Sequence, residues 1–158
     1  MGDRSLWKKV VLARPLNPGR FFGAFMKRCT ATSSLSIKNM SRFGEMSVDR
    51  LVTIFRLPAL RRLHLNFQYG GKMSSYEPET LQRCLGGPGH LTHLSLLLNR
   101  DDLVADMLNI NRDSLEVAEF PAVTMGEGLP FFLLRKLTKL RIWEADDISF
   151  VIADLVSR

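Results

Sequence analysis

The residues of this chain that could do chemistry are few. There are three histidines (His64, His90 and His93), two cysteines (Cys29 and Cys84), two glycine-rich stretches and two aspartate pairs. His90-x-x-His93 has the spacing of a metal pair, but no third or fourth ligand follows at a recognisable interval, and both cysteines fall on predicted helices. The histidines therefore read as surface or interface residues. Gly86-Gly87-Pro88-Gly89 and Gly70-Gly71-Lys72 lack the Gly-Lys-Ser/Thr ending that cradles a phosphate, so they read as turns. Asp101-Asp102 and Asp146-Asp147 could be paired carboxylates. Each precedes an apolar run with helical spacing, which makes them helix starts. Neither cysteine has a foreseeable His or Lys partner to activate it, and both are expected to be buried and inert. No catalytic set, cofactor site or metal site emerges, and the chain is expected not to be an enzyme.

What remains is a framework. The 158 residues are 46% hydrophobic and 24% charged, a composition that excludes a wholly disordered chain and fits one domain over residues 1–158. No apolar run reaches the roughly 18 residues that a membrane-spanning helix needs. The N-terminus has no secretory signal, and Leu6 breaks the myristoylation pattern begun by Met1-Gly2, so cytoplasm or nucleus is expected, with the cysteines reduced. The net charge of +6 is uneven. Residues 1–79 carry 14 Lys/Arg against 5 Asp/Glu, and residues 80–158 carry 8 against 11.

An internal repeat organises the framework. Leu60-x-x-Leu63-x-Leu65, Leu91-x-x-Leu94-x-Leu96 and Leu137-x-x-Leu140-x-Ile142 share one pattern. Val10-Val-Leu12, Leu35-Ser-Ile37 and Leu115-Glu-Val117 keep its last two apolar positions. With the final apolar residue as anchor, the intervals are 25, 28, 31, 21 and 25 residues. Between the anchors, and after the last of them, lie segments that read as short helices. They are introduced by Asn17-Pro18, Ser47 and Asp49, Pro78-Glu79, Asp101-Asp102, Thr124-x-x-Glu127 and Asp146-Asp147. Parallel strands joined by helical crossovers satisfy this order. The expected fold is therefore α/β: a leucine-rich-repeat-like solenoid of about six strand–helix units, with a parallel sheet on the concave face.

Alternation along each strand then separates core from concave face. It places on that face Lys9, Val11 and Ala13; Ser34, Ser36 and Lys38; Arg62, His64 and Asn66; His93, Ser95 and Leu97; Ser114, Glu116 and Ala118; and Lys139, Arg141 and Trp143. The expected partner-binding residues are Lys38, Arg62, His64, Asn66, His93, Ser95, Glu116, Lys139, Arg141 and Trp143, since Arg and Trp are favoured interface anchors. The first three strands lean basic, so a protein partner with an acidic segment toward the N-terminal units is expected.

The pattern resembles the leucine-rich repeat region of F-box proteins. Ser5-Leu6-Trp7-Lys8-Lys9-Val10-Val11-Leu12 is similar to the junction where an F-box gives way to the first repeat strand. Phe25-Met26-Lys27-Arg28-Cys29 before Ser34-Leu35-Ser36-Ile37, and Leu81-Gln82-Arg83-Cys84 before Leu91-Thr92-His93-Leu94, resemble that family's helix-then-strand unit. The resemblance runs from Leu6 to about Leu155. It implies the substrate-recognition part of a cullin-type ubiquitin ligase receptor. The family's separate F-box, a helical module of about 40–50 residues that would dock on the cullin ligase adaptor, is not in this sequence. On that likeness the chain is expected to be part of a longer protein. The asparagine ladder common in such repeats is represented only by Asn99.

Two other classes stand beside this one. A free-standing leucine-rich repeat scaffold or inhibitor would show the same pattern. A small α/β enzyme would place its ligand at the strand C-termini after a glycine-rich first turn, whereas Ala13-Arg14-Pro15-Leu16-Asn17 follows the first strand here. Nothing beyond charge points to nucleic acid, because the basic residues are interleaved with apolar ones.

Overall fold

The computed structural model describes residues 7–13, 21–38, 47–66, 80–97, 101–121, 134–143 and 150–154. Their order is β1 (Lys9–Leu12), α1 (Phe21–Arg28), a 3₁₀ turn (Cys29–Ala31), β2 (Ser34–Ile37), α2 (Val48–Phe55), β3 (Arg62–Asn66), α3 (Thr80–Leu85), β4 (His93–Leu97), α4 (Asp101–Ile110), β5 (Val117–Pro121), β6 (Lys139–Trp143) and β7 (Phe150–Asp154). The protein is α/β. Its seven strands form one sheet in unbroken chain order. β1 to β6 are all parallel, and β7 is antiparallel to β6.

Period-two alternation sorts the strands. Val10, Leu35, Leu63, Leu94, Ala118 and Leu140 are cross-strand neighbours in one buried row, and Ile37, Leu65, Leu96 and Phe120 continue the next. The helices cover this face. Leu51, Ile54 and Phe55 of α2, Leu81 of α3, and Leu103, Met107 and Leu108 of α4 share one core with it. Burying each such side chain contributes about 1.5–3 kcal/mol. Among the described helices, α2 packs on α3 and α3 on α4. Trp7 closes one end edge-to-face on Phe25, at 6.0 Å between ring centroids.

The strands are aligned by a recurring backbone link at the residue just before each one. Lys8, Ser33, Arg61, Thr92 and Glu116 each offer one carbonyl to two successive N–H groups of the next strand's start, at 2.8–3.1 Å. The hydroxyls of Ser33, Thr92 and Thr138 add a third bond to the Lys8, Arg61 and Glu116 carbonyls respectively.

The helix starts are local chemistry. Ser47 accepts from the Arg50 N–H, with Asp49 in the first turn to complement the helix dipole. Asp102 Oδ1 accepts from the Leu103 N–H at 2.9 Å. Asp106, buried in α4, reaches across to accept the Leu81 N–H at the start of α3. α3 ends at Gly86, whose φ of 68° lies in the left-handed region that favours glycine at a helix C-terminus. Asn111, fully buried, accepts from Leu91 N–H at 3.0 Å and donates to the Met107 carbonyl at 2.8 Å, tying the end of α4 to the start of β4. A Cβ on Gly89 would collide with that amide.

Three expectations need correction. The fifth unit is displaced: Leu115-x-x-Ala118-x-Phe120 is the copy, not Leu115-Glu-Val117. Leu115 matches Leu60, Leu91 and Leu137 rather than a strand leucine. Phe120 therefore replaces Val117 as anchor, and Glu116 lies ahead of β5 rather than within it. The residues after Asp146-Asp147 are not helical at Phe150–Asp154, which is β7 on the outer edge of β6. Their β-branched content suits a strand, and pairing there satisfies the edge of β6. Cys84 is exposed, while Cys29 is buried with its thiol pushed up by desolvation. Asn17-Pro18, Pro78-Glu79 and the Thr124-x-x-Glu127 segment lie outside the described residues.

The displaced register has a direct test. Phe120→Ala is expected to cost about 3–5 kcal/mol of stability, and Val117→Ala less than about 1 kcal/mol, as read from urea unfolding midpoints. The opposite ranking would restore Val117 as the core residue.

Candidate functional site

The face of the sheet away from the helices carries the polar residues, and pairing places them in rows about 4.8 Å apart from strand to strand. One row runs Lys9, Ser34, Arg62, His93, Val117, Lys139. The next runs Val11, Ser36, His64, Ser95, Glu119, Arg141. Lys38 follows β2 beside Ala13, and Asn66 pairs with Leu97 in a third row. Nine of the ten expected binding residues thus lie on this face or at its backbone positions. Trp143 pairs with Pro121 at the end of β6, and its side chain lies outside the described residues. Glu116 is the exception. It is exposed just ahead of β5, and Glu119 takes the acidic place on the face. The signal that locates Glu119 is the first leucine of the pattern, Leu115, with Ala118 standing where the other units have leucine.

A depression of about 180 Å³ opens on this face between β2 and β5. Ser34, Ser36, Arg62, His64, His93, Ser95, Val117 and Glu119 line it, over a floor of Leu35, Leu63 and Leu94. Its hydrogen bonds are specific. His64 Nδ1 lies 2.8 Å from Ser95 Oγ. His93 Nδ1 lies 2.9 Å from Thr92 Oγ1, whose own proton goes to the Arg61 carbonyl. His93 Nδ1 is therefore the donor in its pair. Arg141 Nη1 meets Glu119 Oε1 at 2.6 Å, so the acidic charge beside the depression is held by a neighbouring cation. His90 stands apart, with Nε2 donating to the Leu57 carbonyl at 3.0 Å. The two histidines of the His90-x-x-His93 spacing are thus committed separately. Among the described residues, no group of three or more His, Cys, Asp or Glu side chains could hold a metal ion, and no helix is long and apolar enough to cross a membrane.

Burial lowers the pKa of both face histidines. For His64, desolvation acts first; Glu119 pulls the other way, and Lys38 adds to the lowering. For His93, desolvation and then Arg62 lower it, against Glu116 and Glu119. Both rings are therefore harder to protonate than an ordinary histidine. The Ser95–His64 contact could polarise a hydroxyl, as a base does for a nucleophile. Ser95 lies mid-strand and pairs on both sides, so the backbone N–H groups around it belong to the sheet ladder rather than to an oxyanion cradle. The cations on β1 to β3 contrast with a neutralised pair on β5 and β6.

No protein family, curated protein or solved structure matches this chain when its sequence and fold are compared with known proteins.

The lowered histidine pKa values fix a pH dependence. Between the folded value and the ordinary value near 6.5, the unfolded chain binds more protons than the folded one. Stability therefore rises with pH through that window, is lost as pH falls through it, and levels off below it. The urea midpoint is expected to decrease between pH 7.5 and 5.5, with a shallower decrease in His64→Gln. An unchanged slope in that variant would show that His64 is not desolvated.

Proposed function

We propose that the open face of the sheet is a protein-docking surface, in a leucine-rich-repeat-like solenoid that serves as a protein–protein interaction module. Unbroken strand order, helices on one face and a recurring link at each strand start all support the solenoid reading. The observation that carries the docking reading is the charge layout. Lys9, Lys38 and Arg62 are exposed along β1 to β3, and their side chains make no hydrogen bond or ion pair with any described residue. Among the described residues, the first acidic residue on the face, Glu119, is already paired with Arg141. A partner segment rich in Asp and Glu complements this surface, and such complementarity governs encounter rate and orientation. Val11, 47% exposed, and half-buried Leu97 add apolar contact.

The resemblance to the repeats of F-box proteins supplies the cellular reading. The module would present a protein substrate on this face to a cullin-type ubiquitin ligase, with the adaptor bound through an F-box elsewhere in the full protein. A free-standing scaffold or inhibitor without a ubiquitin connection uses the same face, and the charge layout serves both. An α/β enzyme reading draws on the parallel sheet alone.

The test is co-purification with the full-length protein, comparing the native chain with a Lys38→Glu, Arg62→Glu double variant. Partners lost in the variant are then measured by titration. Their affinity is expected to fall at least about tenfold, and the salt dependence of the remaining binding to flatten. Affinity and salt dependence that ignore both charge reversals would refute the docking orientation. Recovery of a cullin adaptor separates the ligase receptor from the free-standing scaffold.

A further inference from the structure

Cations that lie dispersed in the sequence are gathered by the fold along the edge where the strands begin. Exposed Lys8, Arg28, Arg61, Arg112 and Lys136 precede β1, β2, β3, β5 and β6 respectively. The described helices end at this edge too, since each leads into the next strand. Successive units are tied together there. Arg56, closing α2, donates Nη2–H to the Cys84 carbonyl in α3 at 3.1 Å. His90 reaches the Leu57 carbonyl at 3.0 Å, and the Gly89 N–H donates to the Ile110 carbonyl at 2.7 Å. The segments that form the edge are residues 7–8, 27–33, 56–61, 83–92, 112–116 and 134–138. They hold nine Lys/Arg and two Asp/Glu, whereas the rest of the chain holds 13 against 14. The net positive charge of the protein is therefore a property of this edge.

Helix capping accounts for part of it. A helix C-terminus is equivalent to about −0.5 charge, so four of them amount to roughly −2. Against the edge's net +7 that leaves a surplus of about five positive charges. Carboxylates do not answer this surplus. Arg56 and Arg61 bond to neutral carbonyls. Arg112 meets Asp113 at 3.4 Å, with both side chains more than half exposed.

The groups around the cations narrow the ligand. Among the described residues, no aromatic or large aliphatic side chain is exposed on this edge. It therefore offers no platform for stacking the bases of a single strand and no wedge to insert among lipid chains. The hydroxyls of Ser33, Thr92 and Thr138 donate to the shared carbonyls, so they are not free to select the 2′-hydroxyl of RNA. What remains is charge aimed at phosphate, and six of the nine cations are arginine, whose fork suits it. Duplex DNA presents one negative charge per about 1.7 Å. Five strand spacings of about 4.8 Å make an edge of roughly 24 Å, which spans about seven base pairs at about 3.4 Å each.

We propose that the strand-start edge is a sequence-independent docking surface for the phosphate backbone of duplex DNA. It uses none of the open-face residues Lys38, Arg62, His64 and His93. It stands whether or not that face docks a protein.

The experiment is a fluorescence-anisotropy titration of the native chain with a labelled DNA duplex of about 16 base pairs, between about 50 and 200 mM salt. Micromolar or tighter binding is expected at the lower salt, with a logarithmic salt slope of about −4 or steeper. A duplex of unrelated sequence should bind within about threefold. Arg28→Glu and Lys38→Glu change the net charge equally, one on the edge and one on the open face. The first is expected to weaken binding at least about fivefold and the second less than about twofold. Arg28→Glu with Lys136→Glu should reduce the slope by about two. These side chains are exposed, and thermal melts matching the native chain establish that the variants fold. Lys27→Glu with Arg135→Glu carries the same expectation should a melt differ. Equal losses in Arg28→Glu and Lys38→Glu would show that binding follows total charge and overturn the edge. An unaffected edge double variant, or no binding at all, overturns it as well. Discrimination of about tenfold or more between the two duplexes would replace backbone contact with base readout. Tighter binding of duplex RNA, of poly-glutamate or of phosphatidylserine vesicles than of the DNA duplex overturns the assigned ligand.

Discussion

One carbonyl shared between two N–H groups, repeated at Lys8, Ser33, Arg61, Thr92 and Glu116, is the constraint on which the sheet depends. Parallel pairing is set by long crossovers that differ in length, so the crossovers cannot by themselves hold register. The shared carbonyl can. It fixes the first residue of each strand against its neighbour, and alternation then assigns every side chain after it to the core or to the open face. A slip of one residue would exchange Leu94 for Ser95 in the core and place a hydroxyl among leucines. The penalty for such a slip grows with the number of strands in register.

Much of this was legible in the residues, and what failed did so for physical reasons. Leu63, Leu94 and Leu140 announced β3, β4 and β6 because leucine or isoleucine filled every core position of their pattern. β5 was misplaced because its core position holds Ala118, too small to register as an apolar signal, while Phe120 supplies the missing volume one row further on. Leu115-Glu-Val117 mimicked a strand by chance alternation. β7 was misread because an aspartate pair ahead of apolar residues is the same signal at a helix start and at a turn into a strand. Only tertiary pairing with β6 decides between them. The helices were easier, since Ser47 and Asp102 act on their own turns and need nothing distant.

The face was visible as a set of residues but not as a pattern of commitments. Sequence placed Arg62, His64 and His93 together; it could not show that Ser95 and Thr92 occupy one nitrogen of each ring, or that Arg141 neutralises Glu119. Those commitments separate a basic half that is free to meet a ligand from an acidic position that is already answered. The electrostatic direction of the face follows from one ion pair on β5 and β6, in addition to the excess of lysine and arginine in the first half of the chain.

The antiparallel course of β7 bears on assembly. Copies of a repetitive sheet can, in principle, concatenate head to tail, each leading edge seeding the next molecule's trailing edge into an open filament. Here the flank of β6 where such a lattice would propagate is occupied by a ribbon running the wrong way. A leading edge that needs a parallel neighbour therefore finds that flank of β6 already taken.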